Sequence, residues 1–175
     1  MKASKSIAFS ACLLMAGSGA AHVTAAPGKP TPIMVVISGL GCSTALGAGS
    51  FEARSWSWGA TAATTSGGSG EGTGKPVPAP LMLTRVSDAC SPALLGALMH
   101  GDRFTKLTLS HYDTVGVLKA TVVLEDVILT EWQIGGSDTS AEPTEELSVS
   151  FRKFTFGDVS NGNNFCYDIA QQKAC

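Results

Sequence analysis

Charge is what this sequence has least of. Asp, Glu, Lys and Arg make up 15% of its 175 residues, against about 25% in an ordinary soluble domain. The net charge is only −2, so there is no basic field for nucleic acid and no acidic tail for a basic partner. No C-x-x-C pair and no ligand-spaced histidine accompany the cysteines, which argues against a zinc site. What the chain does have is 44% apolar residues and 20 glycines. That is enough to fill a core and make many turns, so disorder throughout is excluded. The length suits one domain. Low charge and abundant glycine fit an all-β domain, or a surface meant to be covered by copies of itself.

Residues 1–25 read as a signal peptide. Lys2 and Lys5 form a basic start and "IAFSACLLMAG" is a short apolar segment. Val23-Thr24-Ala25 offers a cleavage site, with Ala26 first in the mature chain. The apolar segment is too short to span a bilayer, and Phe9-Ser10-Ala11 before Cys12 makes a poor lipobox. The expectation is export by the general secretory route and release, with no membrane attachment after cleavage and residues 26–175 as a single domain.

The leader carries Cys12, one of five cysteines, and leaves Cys42, Cys90, Cys166 and Cys175. An even number in an exported chain suits two disulfides, with three possible connectivities. In "CYDIAQQKAC" a tight turn centred on Ala170-Gln171 sets Cys166 opposite Cys175. A helix there would separate them by about 13 Å and prevent the bridge. The expected pairing is therefore Cys166–Cys175 with Cys42–Cys90.

Along the chain, "IMVVISGL" is a β-branched run ended by glycine and reads as the first strand. "FEARSWSW" reads as the second. Residues 59–80 have no apolar periodicity, are crowded with Gly, Ser, Thr and Pro, and read as a long loop. "LMLTRVS" is the next strand. "SPALLGALMHG" has helix signals: Ser91 as N-cap, Pro92 at the first helical position and Gly101 as the stop. Leu94, Leu95, Leu98 and Met99 form its apolar stripe. "FTKLTLSHYD" and "VLKATVVLEDVILTEWQI" are strands, and the imperfect alternation of Phe104, Leu107 and Leu109 allows a bulge or a change of face. "ELSVSFRKFTF" alternates Leu147, Val149 and Phe151 as one half-buried strand. The pattern is mostly antiparallel β with one helix, a barrel or a sandwich.

Apparent catalytic motifs fail on inspection. "GLGCST" has Thr44 where a third phosphate-loop glycine belongs, and in "GTGKP" Pro76 replaces the hydroxyl residue after Lys75. His100 ends the helix, where a cation complements the dipole. His111 and Asp113 flank Tyr112 and could form a base and its orienter, but no nucleophile is placed to meet them. Glu125 and Asp126 are adjacent and should point to opposite faces. Glu142, Glu145 and Glu146 read as a solvated edge, with Glu145 or Glu146 available to Arg152 or Lys153 of a neighbour.

In order, "ARSWSWG", a variable loop, "LMLTRVSDACSPALLGALMHGDRFTKLTLSHYD", "GVLKATVVLEDVILTEWQIGG" and "EPTEELSVSFRKFTF" resemble the Hcp (haemolysin-coregulated protein) family. That family forms the tube of bacterial type VI secretion systems, and the resemblance covers nearly all of the chain after residue 32. It implies two sheets closing into a small antiparallel β-barrel with one short α-helix at its side. It also implies a homo-hexameric ring, stacking of rings into tubes, and a lumen that can carry small effector proteins. Residues 59–80 match the family's extended loop that reaches towards the next ring. No catalytic residue, cofactor or metal is implied. Tube subunits of the apparatus are made without a signal peptide, so the leader and the four mature cysteines depart from the pattern and point to oxidising surroundings.

Three functional readings result. The first is an exported, non-enzymatic structural protein that self-assembles into rings stacking into tubes or filaments, in the periplasm or outside the cell. The second is a tube component or effector carrier of a type VI system that keeps its leader. The third is a ligand-binding module on the same scaffold. The contact with a neighbouring copy is expected at Ser55, Trp56, Ser57 and Trp58 and at Gly67, Gly70 and Lys75 of the loop. Strict alternation puts Trp56 and Trp58 with Arg54 on one face, and Ala53, Ser55 and Ser57 on the other.

Overall fold

The structure is a computed structural model that describes residues 32–62, 64–65 and 72–175. The leader, its cleavage site, Gly67 and Gly70 lie outside these residues. In chain order the first strands are β1 (Ile33–Ile37), β2 (Ser43–Thr44), β3 (Gly47–Ala48), β4 (Ser50–Glu52) and β5 (Ser55–Ser57). They are followed by β6 (Ala60–Thr61), β7 (Thr64–Thr65), β8 (Gly72–Thr73), β9 (Val77–Pro78) and β10 (Leu81–Val86). After α1 (Ser91–His100) come β11 (Arg103–Tyr112), β12 (Leu118–Gly135), β13 (Thr144–Ser150), β14 (Lys153–Asp158), β15 (Asn163–Asp168) and β16 (Lys173–Ala174).

In β1, Ile33, Val35 and Ile37 turn inward, as a period of two requires. The strand lies between β4 and β11, and the sheet continues through β12, β14, β15 and β16, antiparallel throughout. β12 is long enough to serve two sheets. Its first half pairs with β14 and its second half with β13, which pairs with β10 and through it with β5.

The outermost strands of this path, β4 and β5, are successive pieces of one chain. Between them Ala53 N–H donates to the Ile33 carbonyl (3.0 Å) and Arg54 N–H donates to the Thr84 carbonyl (2.7 Å). This corner hands the chain from one sheet to the other. The sheets thus curl round a single core of Val35, Ile37, Phe51, Leu81, Leu107, Leu124 and their neighbours. The seam is bridged by the corner rather than by a ladder. At the other end of β4, Gly49 has φ 63 and a Cβ there would collide with the Ile37 carbonyl oxygen. Only glycine fits that turn.

Several expectations are corrected. "FEARSWSW" is two strands, because Phe51 and Ala53 are buried while Ser55 and Ser57 are exposed. A single alternating strand cannot do that, so Ala53 belongs to the core and not to the serine face. "ELSVSFRKFTF" is likewise split into β13 and β14 at Phe151-Arg152. Along β12 the buried positions move from Val122 and Leu124 to Val127 and Leu129. Asp126, at φ 54, takes up the extra residue, and β11 changes face between Phe104 and Leu107 alongside it. The helix has Cys90 rather than Ser91 at its N-cap. The Ser91 hydroxyl instead accepts the Asp88 N–H (3.0 Å). Gly101, at φ 68, ends the helix, with its N–H donated to the Leu98 carbonyl and that of Asp102 to the Ala97 carbonyl, a Schellman arrangement. Leu94 and Ala97 make the docked face, while Met99 is 74% exposed and lies outside it.

Candidate assembly surface

The described residues 59–62, 64–65 and 72–80 pair into a laddered arm. Ala60 pairs with Pro78 and Thr61 with Val77, then Thr64 with Thr73 and Thr65 with Gly72. A two-stranded ribbon alone has little stability in water, so its base must be fixed elsewhere. Ala79 N–H donates to the Gly59 carbonyl (2.8 Å), and the indole N–H of Trp58 donates to the Ala79 carbonyl (3.0 Å). The Trp58 ring lies edge-on to Phe154 at 4.6 Å and to Phe151 at 5.8 Å. Such pairs add to the area they bury. Trp58 therefore ties the arm to β14.

The aromatic face continues outward. Phe154 pairs with Tyr167 across β14 and β15, and Phe156 with Phe165. Phe165 stacks on Tyr167 and is 53% exposed. Val77, in the arm, is 64% exposed, and Lys75 is also exposed. Of the residues expected to meet a neighbour, Ser55, Ser57 and Lys75 face outward. Trp56 and Trp58 are half-buried and spend their indole N–H groups within the subunit.

No catalytic pair is built from His111 and Asp113. The Trp56 indole N–H points at His111 Nδ1 (3.4 Å), and the two rings meet edge to face. Asp113 Oδ1 accepts the N–H groups of Val115 (3.0 Å) and Val117 (2.9 Å), and Oδ2 pairs with Lys119 (3.2 Å). The Val117 N–H above all, with Lys119, holds the Asp113 carboxyl below its usual pKa. It is a turn-former. His100 is exposed at the helix end. Among the described residues no cluster of three His, Cys, Asp or Glu side chains could hold a metal.

Glu125 and Asp126 both line one cleft of about 580 Å³, together with Arg103, Arg152, Lys153 and Asp168. They do not diverge as a regular strand would make them, because Asp126 is left-handed. Each has its own cation: Lys153 on Glu125 (3.1 Å) and Arg103 on Asp126 (3.0 Å), while Arg152 faces Asp168 (3.7 Å). Arg152 and Lys153 are thus engaged within the chain.

Glu145 is completely buried rather than on a solvated edge. It faces Arg85, also completely buried, with Nε 3.5 Å from its Oε2. Arg85 also pairs with Asp88, and its guanidinium carbon sits 4.4 Å from the centroid of the Phe51 ring. The signal lay in the pattern, since Arg85 continues the inward series Leu81, Leu83 and Glu145 opens the series Leu147, Val149.

The disulfides join Cys42 to Cys90 (Cα–Cα 5.1 Å) and Cys166 to Cys175 (5.3 Å). The second closes over the turn between β15 and β16, where Cys175 N–H donates to the Cys166 carbonyl (3.2 Å). No helix among the described residues is long and apolar enough to cross a membrane.

A family model described as "Type VI secretion system effector, Hcp" matches residues 35–157. Solved structures share the fold. Hcp1 from Salmonella typhimurium is 21% identical, with a TM-score of 0.68 over 82% of this chain and 97% of that one. A type VI secretion system effector from Yersinia pestis is 22% identical, with a TM-score of 0.64 over 78% and 98%. Secreted protein Hcp3 from Pseudomonas aeruginosa is 21% identical, with a TM-score of 0.58 over 78% and 95%. Comparison with curated proteins gives no significant match.

Proposed function

This chain belongs to the Hcp family of type VI secretion system proteins, and on that premise we propose that it is an exported structural subunit. It assembles into six-membered rings that stack into tubes or filaments outside the cytoplasm. The observation that carries this reading is the laddered arm, anchored on β14 by Trp58, with Ala60, Thr61, Lys75 and Val77 exposed on it. Such a ribbon has no partner within the described subunit for its outer surface, and a second ring supplies one. The barrel, the corner strand and the ion-paired cleft are scaffold. Small effector proteins in the lumen are the cargo, and neither nucleic acid nor lipid takes part. Negative-stain electron microscopy of the purified protein tests this: rings and short stacks support it, and dispersed single subunits at high concentration overturn it.

The family match also favours a second reading, a working tube component of a type VI apparatus that retains residues 1–25. N-terminal sequencing of exported protein separates the two. A chain starting at Ala26 supports general secretion, and an intact Met1 supports the apparatus.

A further inference from the structure

The Cys42–Cys90 disulfide is the covalent tie at the start of the helix. α1 is ten residues long, too short to persist alone. Its N-cap, Cys90, makes no side-chain hydrogen bond to the first turn, and that turn has no acidic residue. Position therefore depends on contacts outside the helix: buried Leu94 and Ala97 against the core, the Ser91 hydroxyl on Ser87 and Asp88, and the ties made by Cys90. Its N–H donates to Asp88 Oδ1 (2.7 Å), the oxygen that also pairs with Arg85. Through Arg85 and Glu145 this leads to β10 and β13. Its sulfur is bonded to Cys42, whose carbonyl accepts the Gly49 N–H (2.8 Å), and Gly49 in turn accepts the Ile37 N–H (2.9 Å). That leads to β1 and β4. The helix start is thus joined covalently towards β1 and β4, and by hydrogen bonds and ion pairs towards β10 and β13.

Cys166–Cys175 is different in kind. It spans nine residues inside one hairpin and holds two-residue β16 on β15, away from the core.

We propose that oxidation of Cys42 and Cys90 is a gate on folding: the reduced chain does not hold α1 on the barrel and does not assemble. Assembly then waits until the chain has left a reducing compartment, which rests on the export reading above. The step uses a disulfide oxidant, oxidised glutathione in vitro. The Cys42 thiolate attacks it and displaces one glutathione thiolate, and the Cys90 thiolate then attacks the Cys42 sulfur and displaces the second. One S–S bond forms in the protein and one breaks in the oxidant. Two electrons pass to glutathione, and the two thiol protons finish on its two thiols. After closure Cys90 is completely buried and Cys42 only half-buried, so a reductant can approach from one side alone.

The bridge across 48 residues restricts the unfolded chain far more than the one across nine. On chain-entropy grounds its loss lowers the folding equilibrium about a thousand-fold. Opening Cys166–Cys175 costs less than about a hundred-fold, because that hairpin can loosen without the barrel.

The full chain, unfolded in urea with dithiothreitol, is diluted into dithiothreitol or into a glutathione redox buffer. Amide exchange in residues 91–101 and sedimentation are then read. The expected result is a protected helix and assembled protein only in glutathione. Cys166→Ser/Cys175→Ser behaves like the parent there, and Cys42→Ser/Cys90→Ser behaves like reduced chain. The proposal is overturned if the parent chain in dithiothreitol protects α1, or if the two double variants lose protection equally. A chain that gains its helix on oxidation yet stays monomeric supports the gate and sinks the ring.

Discussion

Arg85 on β10 and Glu145 on β13 stand directly opposite each other in the ladder, both completely shielded from solvent. Two desolvated charges are costly, and their attraction offsets the cost only while both remain. Their contribution is to register as much as to stability, since a slip by one residue would bury one charge without the other. Arg85→Met should therefore destabilise by about 3–5 kcal/mol, whereas Arg85→Met with Glu145→Leu should recover most of it. Urea unfolding of the two single variants and the pair measures this as a double-mutant cycle. Additive losses would contradict a coupled pair.

Trp58 holds the arm, so its loss should be felt in the arm before the barrel. Trp58→Ala should cost about 2 kcal/mol, below the roughly 3–5 of a fully buried tryptophan because the ring is half-buried. The Gly59–Ala79 stem should then exchange its amides faster while the β1–β11 ladder keeps its protection. Uniform loosening of the two would show that Trp58 acts on the core instead.

The tryptophans also show where sequence reasoning works and where it stops. The β-branched run "IMVVI" correctly reads as a strand, and strand alternation turns Ile33, Val35 and Ile37 inward in it because one face of β1 meets the core along its whole length. The same rule fails at "FEARSWSW", where a corner between sheets resets the faces after Ala53. It fails again at Asp126, where a left-handed residue absorbs one position. A period of two carries no record of a bend, and bends are where barrels change sheets. The Cys166–Cys175 bridge was legible because its geometry is local to one turn. The arm's ladder was not, because threonine and glycine pairing through the backbone leaves no apolar periodicity. Glu145 occupies a core position in the pattern, but its charge reads as exposure, and the partner that lets it be buried, Arg85, lies on another strand.

Asp113 gives the β11–β12 turn a defined response to acid. Its carboxyl is held below the usual range by the Val117 N–H first, then by Lys119 and Val115. A depressed carboxylate adds stability above its unfolded-state pKa and loses it as pH falls through the lower folded-state value. The turn should thus stay closed from neutral pH through the ordinary carboxylate range and loosen only below it. The Val117 amide resonance should follow the same curve in an NMR titration, and should be flat with pH in Asp113→Asn. A midpoint above the ordinary carboxylate value would contradict the assignment.

Val77 is exposed on the arm, so a charge there should leave the subunit intact and affect only stacking. Val77→Asp is expected to change stability by no more than about 0.5 kcal/mol and to leave single rings in place of stacks. Thermal unfolding and electron microscopy read the two effects separately. Unchanged stacks would remove the arm from the contact between rings.

The proposed assembly joins copies of this chain through a surface that the isolated subunit leaves open. Native mass spectrometry of protein recovered from the cell exterior, without reductant, tests that most directly. A six-subunit mass, with both disulfides intact and Ala26 at the N-terminus, is the predicted result. A single-subunit mass that persists as concentration is raised would contradict it.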